Sequence, residues 1–286
     1  MSEENVVVIG TYSHNVLAYS GDDGTFLWNF TTHNYVASAP ALAKIENATI
    51  AFIGGVDGFL HAIDVSTGQQ RWMYDAQQAV WPPPMVVDGN VCFGSGGEAN
   101  PYADDHAHVH CLNASTGLSI WNYSVGSSQV QSCPTLDSKH STLYVGVYDG
   151  RVLALDFNSG LLKWSTNKTG GRVESSPATT VVNNTEIVVV GSADGYLYAF
   201  LAETGALFWR TKLGAEVGSS PAIDRSNVIY IGGDPGMYAI NASDGIIIWH
   251  FIETAGQKLV GCSVALLDHA LLVGDEDGYL YKLSSA

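Results

Sequence analysis

The chain is poor in charge, above all in positive charge. Only 14% of its 286 residues are charged, 12 basic against 28 acidic, for a formal net charge of -16. An average soluble domain carries about 25%. No basic stretch could neutralise phosphates, which excludes nucleic acid and anionic membrane surfaces as partners. No apolar run approaches the roughly 18 residues that span a bilayer, so the chain reads as soluble, without direct membrane insertion. Cysteine is scarce, four residues with no adjacent pair and no C-x-x-C, which leaves neither a zinc ribbon nor a thioredoxin motif. H-E-x-x-H is missing, "GSGGE" (94–98) lacks the flanks of a nucleophile elbow, and no Gly-rich turn leads into a phosphate-holding helix. The opening "MSEENVVVIG" is acidic and enters a strand-like run at once, so it does not read as a signal peptide.

What is present in quantity is Gly (31), Tyr (14) and Trp (7), the composition of an all-β protein with many tight turns. Residues 52–72, "FIGGVDGFLHAIDVSTGQQRW", align without a gap with 144–164, "YVGVYDGRVLALDFNSGLLKW", and with 189–209, "VVGSADGYLYAFLAETGALFW". Degenerate copies occupy 8–28, 230–249 and the last residues. Trp28, Trp72, Trp121, Trp164, Trp209 and Trp249 mark one point in successive copies, spaced by 44, 49, 43, 45 and 40 residues. Such a period, with several strand signals per unit, predicts the blades of a β-propeller. In each unit an Asp-Gly pair makes the first hairpin and Asp/Glu-x-x-Thr/Ser-Gly the second. The Trp strand follows, and then a small-residue strand such as "SAPALA" (38–43), "SSPATT" (175–180) or "SSPAID" (219–224), whose Pro fits an edge strand. Seven central hairpins predict seven four-stranded antiparallel blades in a single domain over 1–286. The first and last blades are each expected a strand short, and an eight-bladed parent is the alternative.

The pattern G-x-x-D-G-x-L-x-A-L-D-x-x-T-G-x-x-x-W followed by S-S-P-A resembles the pyrroloquinoline-quinone-type (PQQ-like) propeller repeat. That repeat is found in quinoproteins and in the bacterial outer-membrane assembly lipoprotein. The resemblance covers essentially the whole chain and implies that the six tryptophans dock neighbouring blades. Quinoprotein dehydrogenases of this type use adjacent cysteines, a calcium and an Asp base. None of these is recognisable here, so no cofactor is expected beyond a weakly bound divalent metal, and the reading leans away from an enzyme.

One unit departs from the template. Between its two central strands the short turn becomes "GSGGEANPYADDHAH" (94–108), and loops longer than their siblings on a rigid scaffold are where function collects. His106, His108 and His110 alternate onto one strand face and, with Asp104 or Asp105, make a candidate metal site. Against it, His110 aligns with His61, and Leu17, Leu153, Tyr198 or Tyr238 fills the same position elsewhere, which makes it a packing residue. Glu98, Asn100 and Tyr102, with Trp81 of "AVWPPPMV" (79–86), are the candidate partner-binding loop. Cys92 and Cys111 could face each other across this hairpin. Cys133, Ser176, Ser220 and Cys262 hold matching places on the inner strands.

Sequons begin at Asn29, Asn47, Asn113, Asn122, Asn167, Asn183 and Asn241, where chance gives about two. They point to a glycosylated, secreted or luminal protein whose signal lies elsewhere, with a cytoplasmic protein as the alternative. The leading expectation is a non-enzymatic scaffold presenting loops to a protein or glycan partner. The rivals are a quinoprotein-like or metal-dependent oxidoreductase using the 95–110 loop and an axial pocket, and a sensor module of a larger protein.

Overall fold

The computed structural model describes residues 5–97, 106–137, 139–252, 263–267, 270–274 and 279–284. Every regular element among them is a strand, and the strands form seven antiparallel sheets, five of four strands and two of three. The class is all-β. Each sheet is a meander in which every strand pairs with its predecessor in the chain, the arrangement that consecutive hairpin signals dictate.

The chain divides at Pro134 into two compact units. The first holds blade 1 (Val6–Gly10, Asn15–Ser20, Phe26–Thr31), blade 2 (Ala41–Ile45, Ala48–Gly54, Phe59–Asp64, Gln70–Asp75) and blade 3 (Met85–Val87, Asn90–Gly94, Ala107–Asn113, Ser119–Gly126). The second holds blade 4 (Thr135–Asp137, Thr142–Gly146, Val152–Asp156, Leu162–Ser165) and blade 5 (Ala178–Val182, Thr185–Gly191, Tyr196–Leu201, Leu207–Lys212). It continues with blade 6 (Ala222–Ile223, Val228–Gly233, Gly236–Asn241, Ile247–Ile252) and blade 7 (Ala265–Leu267, Ala270–Gly274, Leu280–Ser284). Blades 1 and 7 are the three-stranded ones, as the repeat count predicts.

Central strands are buried on both faces and β-branched, as in Thr185–Gly191, whose last five residues are buried. Outer strands alternate between partly buried and exposed side chains, as in Leu207–Lys212. In six blades the outer-strand Trp sits opposite a small residue: Ala18, Ala62, Cys111, Ala154, Ala199 or Ala239. Immediately after that residue the register slips by one in all six pairs. Such a bulge sharpens the local twist and re-aims the side chain beside it.

Four of these indoles can be followed to their targets. Trp28 Nε1 donates to Val65 O at 2.8 Å, Trp72 to Ala114 O at 3.1 Å, Trp164 to Ala202 O at 2.8 Å and Trp209 to Ala242 O at 2.9 Å. Every acceptor lies in the following blade, in the turn before its outer strand. The ring lies on the glycine of that turn: a Cβ at Gly68, Gly117, Gly205 or Gly245 would stand 2.6–2.7 Å from an indole atom. Those glycines have φ of +70 to +73°, where an L side chain is strained as well. One tryptophan thus contributes about 1.5–3 kcal/mol of apolar burial and a hydrogen bond worth about 1 kcal/mol to each joint.

Gly24 is the natural control, with φ +72° and no atom within 4 Å of an added Cβ. Gly24→Ala is expected to cost only the backbone strain of about 1–2 kcal/mol. Gly205→Ala is expected to cost about 2–4 kcal/mol, because overpacking against Trp164 adds to that strain. Urea denaturation of the two variants checks the difference; equal midpoints would show that the indole contact carries no weight.

Candidate functional site

The segments that lead from one blade to the next are held by a repeated device that the sequence reading passed over. Val36, Val80, Val130, Val173 and Val217 are each 0–2% exposed. Each Val amide donates to a backbone oxygen near the turn that joins its blade's central strands: Thr11, Gly55, Ser95, Val147 and Ser192 respectively. Each Val side chain lies over the last glycine of a central strand, so that a Cβ on Gly10, Gly54, Gly94, Gly146 or Gly191 would meet a Val methyl at 2.3–2.7 Å. The sequence signal was available: each Val stands four residues before a Pro, at Pro40, Pro84, Pro134, Pro177 and Pro221.

The Val is constant and its neighbours are not. In the first unit two of the variable positions are aromatic, Tyr35 and Trp81, and those around Val130 are glutamines. Tyr35, one before Val36, stacks on Tyr12 at 5.3 Å between centroids and lies 6.0 Å from Trp81, one after Val80. Tyr12 is 75% exposed. Gln129 and Gln131 flank Val130 and bond to each other at 2.7 Å. A Cβ at Gly97 would stand 3.3 Å from Trp81 Nε1, which puts Trp81 where the inserted segment of blade 3 begins. In the second unit the same positions are charged. Arg172 bonds Glu174 at 2.8 Å and Glu216 at 2.6 Å, and its guanidinium lies 5.6 Å over Tyr148.

Glu98, Asn100, Tyr102, Asp104 and Asp105 lie outside the described residues, as does Cys262. Of the three histidines beside them, His106 is exposed and His108 half-buried, with its ring 5.6 Å from that of His110. His110 is a core residue. It stacks on Phe93 at 4.8 Å, its Nε2 pairs with Ser95 Oγ at 3.0 Å, and its Nδ1 pairs with the Tyr74 hydroxyl at 3.4 Å. Both ring nitrogens are therefore occupied, and the three histidines do not converge as a ligand set. His61 is its counterpart, paired with Asp57 at 3.3 Å, and in blade 5 Tyr198 pairs with Asp194 at 2.6 Å from the same register. Behind His110, Cys92 and Cys111 are directly paired across two strands and joined by a disulfide.

On the inner strands, Ser220 Oγ accepts the Ser176 amide at 2.9 Å. Burial pushes the Cys133 thiol up to about 11, which keeps it protonated and a poor nucleophile at neutral pH. Asn29, Asn47, Asn122, Asn167 and Asn183 are exposed. Asn113, also exposed, and half-buried Asn241 cap turns, each accepting the backbone amide two residues on at 3.0 and 2.9 Å. Among the described residues one group of three metal-ligating side chains converges, Asp137, His140 and Glu186. No sequence pattern announced it.

The repeat, the meander sheets and the tryptophan joints define a β-propeller of the PQQ-like class. The family profile described as outer membrane protein assembly factor BamB matches residues 1–80, 96–195 and 174–286. The chain belongs to that family. A BamB of Shewanella oneidensis is 25% identical over 261 residues, 84% of this chain and 62% of that one, so the chain spans less than two thirds of that relative. A quinohemoprotein alcohol dehydrogenase of Pseudomonas putida is 31% identical over 166 residues, but these are 51% of this chain and 22% of the enzyme. The crystal structure of BamB from Moraxella catarrhalis superposes over 98% of this chain and 82% of its own, with a TM-score of 0.75 and 20% identity. No helix among the described residues is long and apolar enough to cross a membrane.

Burial, reinforced by the charge of His108, pulls His110 from 6.5 down to about 3. The folded protein therefore holds it neutral while the unfolded chain protonates it below pH 6.5. Its contribution to stability is present in full above that pH and is lost as pH falls toward 3. Replacing it with a group that does not titrate, His110→Gln, should flatten the fall in urea midpoint between pH 7 and about pH 4.5. An unchanged slope would show that His110 is not the buried neutral group described.

Proposed function

We propose that the chain is a non-enzymatic propeller scaffold that holds a partner protein on the loop face of blades 1 to 3. The observation that carries this reading is the contrast between the constant Val anchor and its variable flanks. A rigid frame repeats five times, and in the first unit the positions it presents are Tyr35, Trp81 and, beside them, Tyr12. Aromatic side chains with apolar bodies and polar tips are the residues that anchor protein interfaces. Glu98, Asn100 and Tyr102 would extend the same surface. Fold alone does not give function. The family adds that relatives named as assembly factors share the frame, which favours a protein partner over a glycan.

An extracytoplasmic compartment goes with this reading. The Cys92–Cys111 disulfide suits an oxidising environment, and six of the seven sequons stand exposed, as modified asparagines must. The tryptophans serve the frame by docking blades. The quinoprotein alternative rests on a relative matched in sequence over only a fifth of its length and on a likeness of fold at 15% identity. A stoichiometric quinone chromophore in the purified protein would favour it over the scaffold.

Photo-crosslinking tests the surface directly. A benzophenone amino acid at Tyr12 or Trp81, in cells of the source organism, should trap one and the same protein adduct. The same probe at Leu161, 70% exposed on a turn of blade 4, should not. Adducts of equal yield from all three positions, or none from Tyr12 and Trp81, would contradict the assignment.

A further inference from the structure

Asp137, His140 and Glu186 come together from two blades of the second unit. Asp137 ends the first strand of blade 4, His140 lies in the turn after it, and Glu186 is the second residue of Thr185–Gly191 in blade 5. His140 Nδ1 stands 2.6 Å from Asp137 Oδ2 and 3.0 Å from Glu186 Oε2. One imidazole nitrogen thus faces two carboxylates, and the three ligand atoms lie within 4.8 Å of one another. The carboxylate side chains are 6% and 18% exposed, whereas that of His140 is 51% exposed and opens outward. His140 and Glu186 line a groove of about 700 Å³ whose walls include Tyr144, Trp164 and Thr204.

We propose that this triad is a binding site for a divalent transition metal, zinc above all. Two carboxylates and a neutral imidazole carry a charge of -2, which a divalent cation cancels. Imidazole nitrogen with carboxylate oxygen suits zinc, whereas calcium and magnesium prefer all-oxygen sets. Ligands on a tetrahedron with bonds of 2.0–2.1 Å stand about 3.3 Å apart. The imidazole–carboxylate distances of 2.6 and 3.0 Å are shorter than this, so a bound ion would spread the Asp137 contact by about 0.7 Å and the Glu186 contact by about 0.3 Å. The metal takes the place of the Nδ1 proton; an imidazolium gives that proton to solvent, whereas a neutral imidazole carries it on Nε2 instead, and the bound ligand is neutral in either case. Three protein ligands leave a fourth position for water or a ligand oxygen on the groove side.

The groups behind the triad are already fixed, the condition for ligands to converge without further ordering. Asp137 uses its other oxygen to accept the Lys139 amide at 3.0 Å. Lys163 clamps the His140 turn, its ammonium 2.8 Å from both His140 O and Thr142 Oγ1. The Glu186 carbonyl accepts the Ala202 amide at 3.0 Å. Blade 6 shows what the position does without the other two ligands. Asp224, at the register of Asp137, caps its turn in the same way, but its second oxygen takes the Tyr230 hydroxyl at 3.1 Å. His140 and Glu186 are what blade 4 and its neighbour add.

Calorimetric titration of zinc into chelator-stripped protein tests the site, with cobalt(II) absorption as a second readout. One ion per chain is expected, with a tetrahedral cobalt spectrum. His140→Ala, at a half-exposed side chain, and Glu186→Gln should each weaken binding about tenfold or more, with the strand signal in circular dichroism retained. His106→Ala/His108→Ala should leave it unchanged. No saturable binding by the wild type, binding that survives either triad substitution, or loss in the blade 3 variant would overturn the proposal. In those cases the triad is an ion-paired staple between two blades.

Discussion

The interaction on which the rest depends is the indole laid on a turn glycine, with its N–H on the carbonyl three residues earlier in the same turn. A blade has little of its own to bury, and its central strands need cover on both faces. The tryptophan supplies cover and direction together. Its ring requires a glycine at the point of contact, and its hydrogen bond fixes how far each blade is turned against the next. The small residue opposite each tryptophan and the bulge after it belong to the same device, since they aim the ring out of its own sheet. Four such joints are seen directly, two in each unit.

On a frame fixed that way, the loops are free to differ. The buried Val four residues before the inner-strand Pro holds each connecting segment against a glycine of a central strand. Its side chain is spent on packing and its amide on a backbone bond. Neither depends on the residues on either side, so these carry aromatic rings at Tyr35 and Trp81, a glutamine pair around Val130 and an Arg–Glu network in the second unit. The same independence lets blade 3 accept its insertion without disturbing His110, whose partner Ser95 takes the part that Asp57 and Asp194 play for His61 and Tyr198 from a position two residues earlier in the turn. The Asp137–His140–Glu186 group is a further local addition of this kind.

Much of this was legible in the sequence because a repeat prints one physical solution several times over. Strand order, turn chemistry, the short first and last blades and the facing of Cys92 and Cys111 all follow from aligning copies. The identity of His110 as a packing residue follows too, from His61 and the Tyr and Leu at its register. What differs between copies was harder to read. His140 and Glu186 are 46 residues apart, and nothing local marks them as neighbours. The aromatic row was glimpsed at Trp81 alone, because Tyr12 and Tyr35 meet it only after the sheets are stacked. The Val anchor recurs in five connecting segments and only its spacing from the Pro marks it in the sequence, since an apolar residue in such a segment is unremarkable until its burial is known.

A double-mutant cycle on Trp28 and Gly68 tests the central claim most directly. Trp28→Leu, Gly68→Ala and the double variant are compared by urea denaturation. If the indole rests on the glycine, the added methyl matters far less once the ring is gone, and the two substitutions couple by about 1 kcal/mol or more. Strictly additive costs would mean that ring and glycine are independent, and the account of how the blades are joined would be wrong.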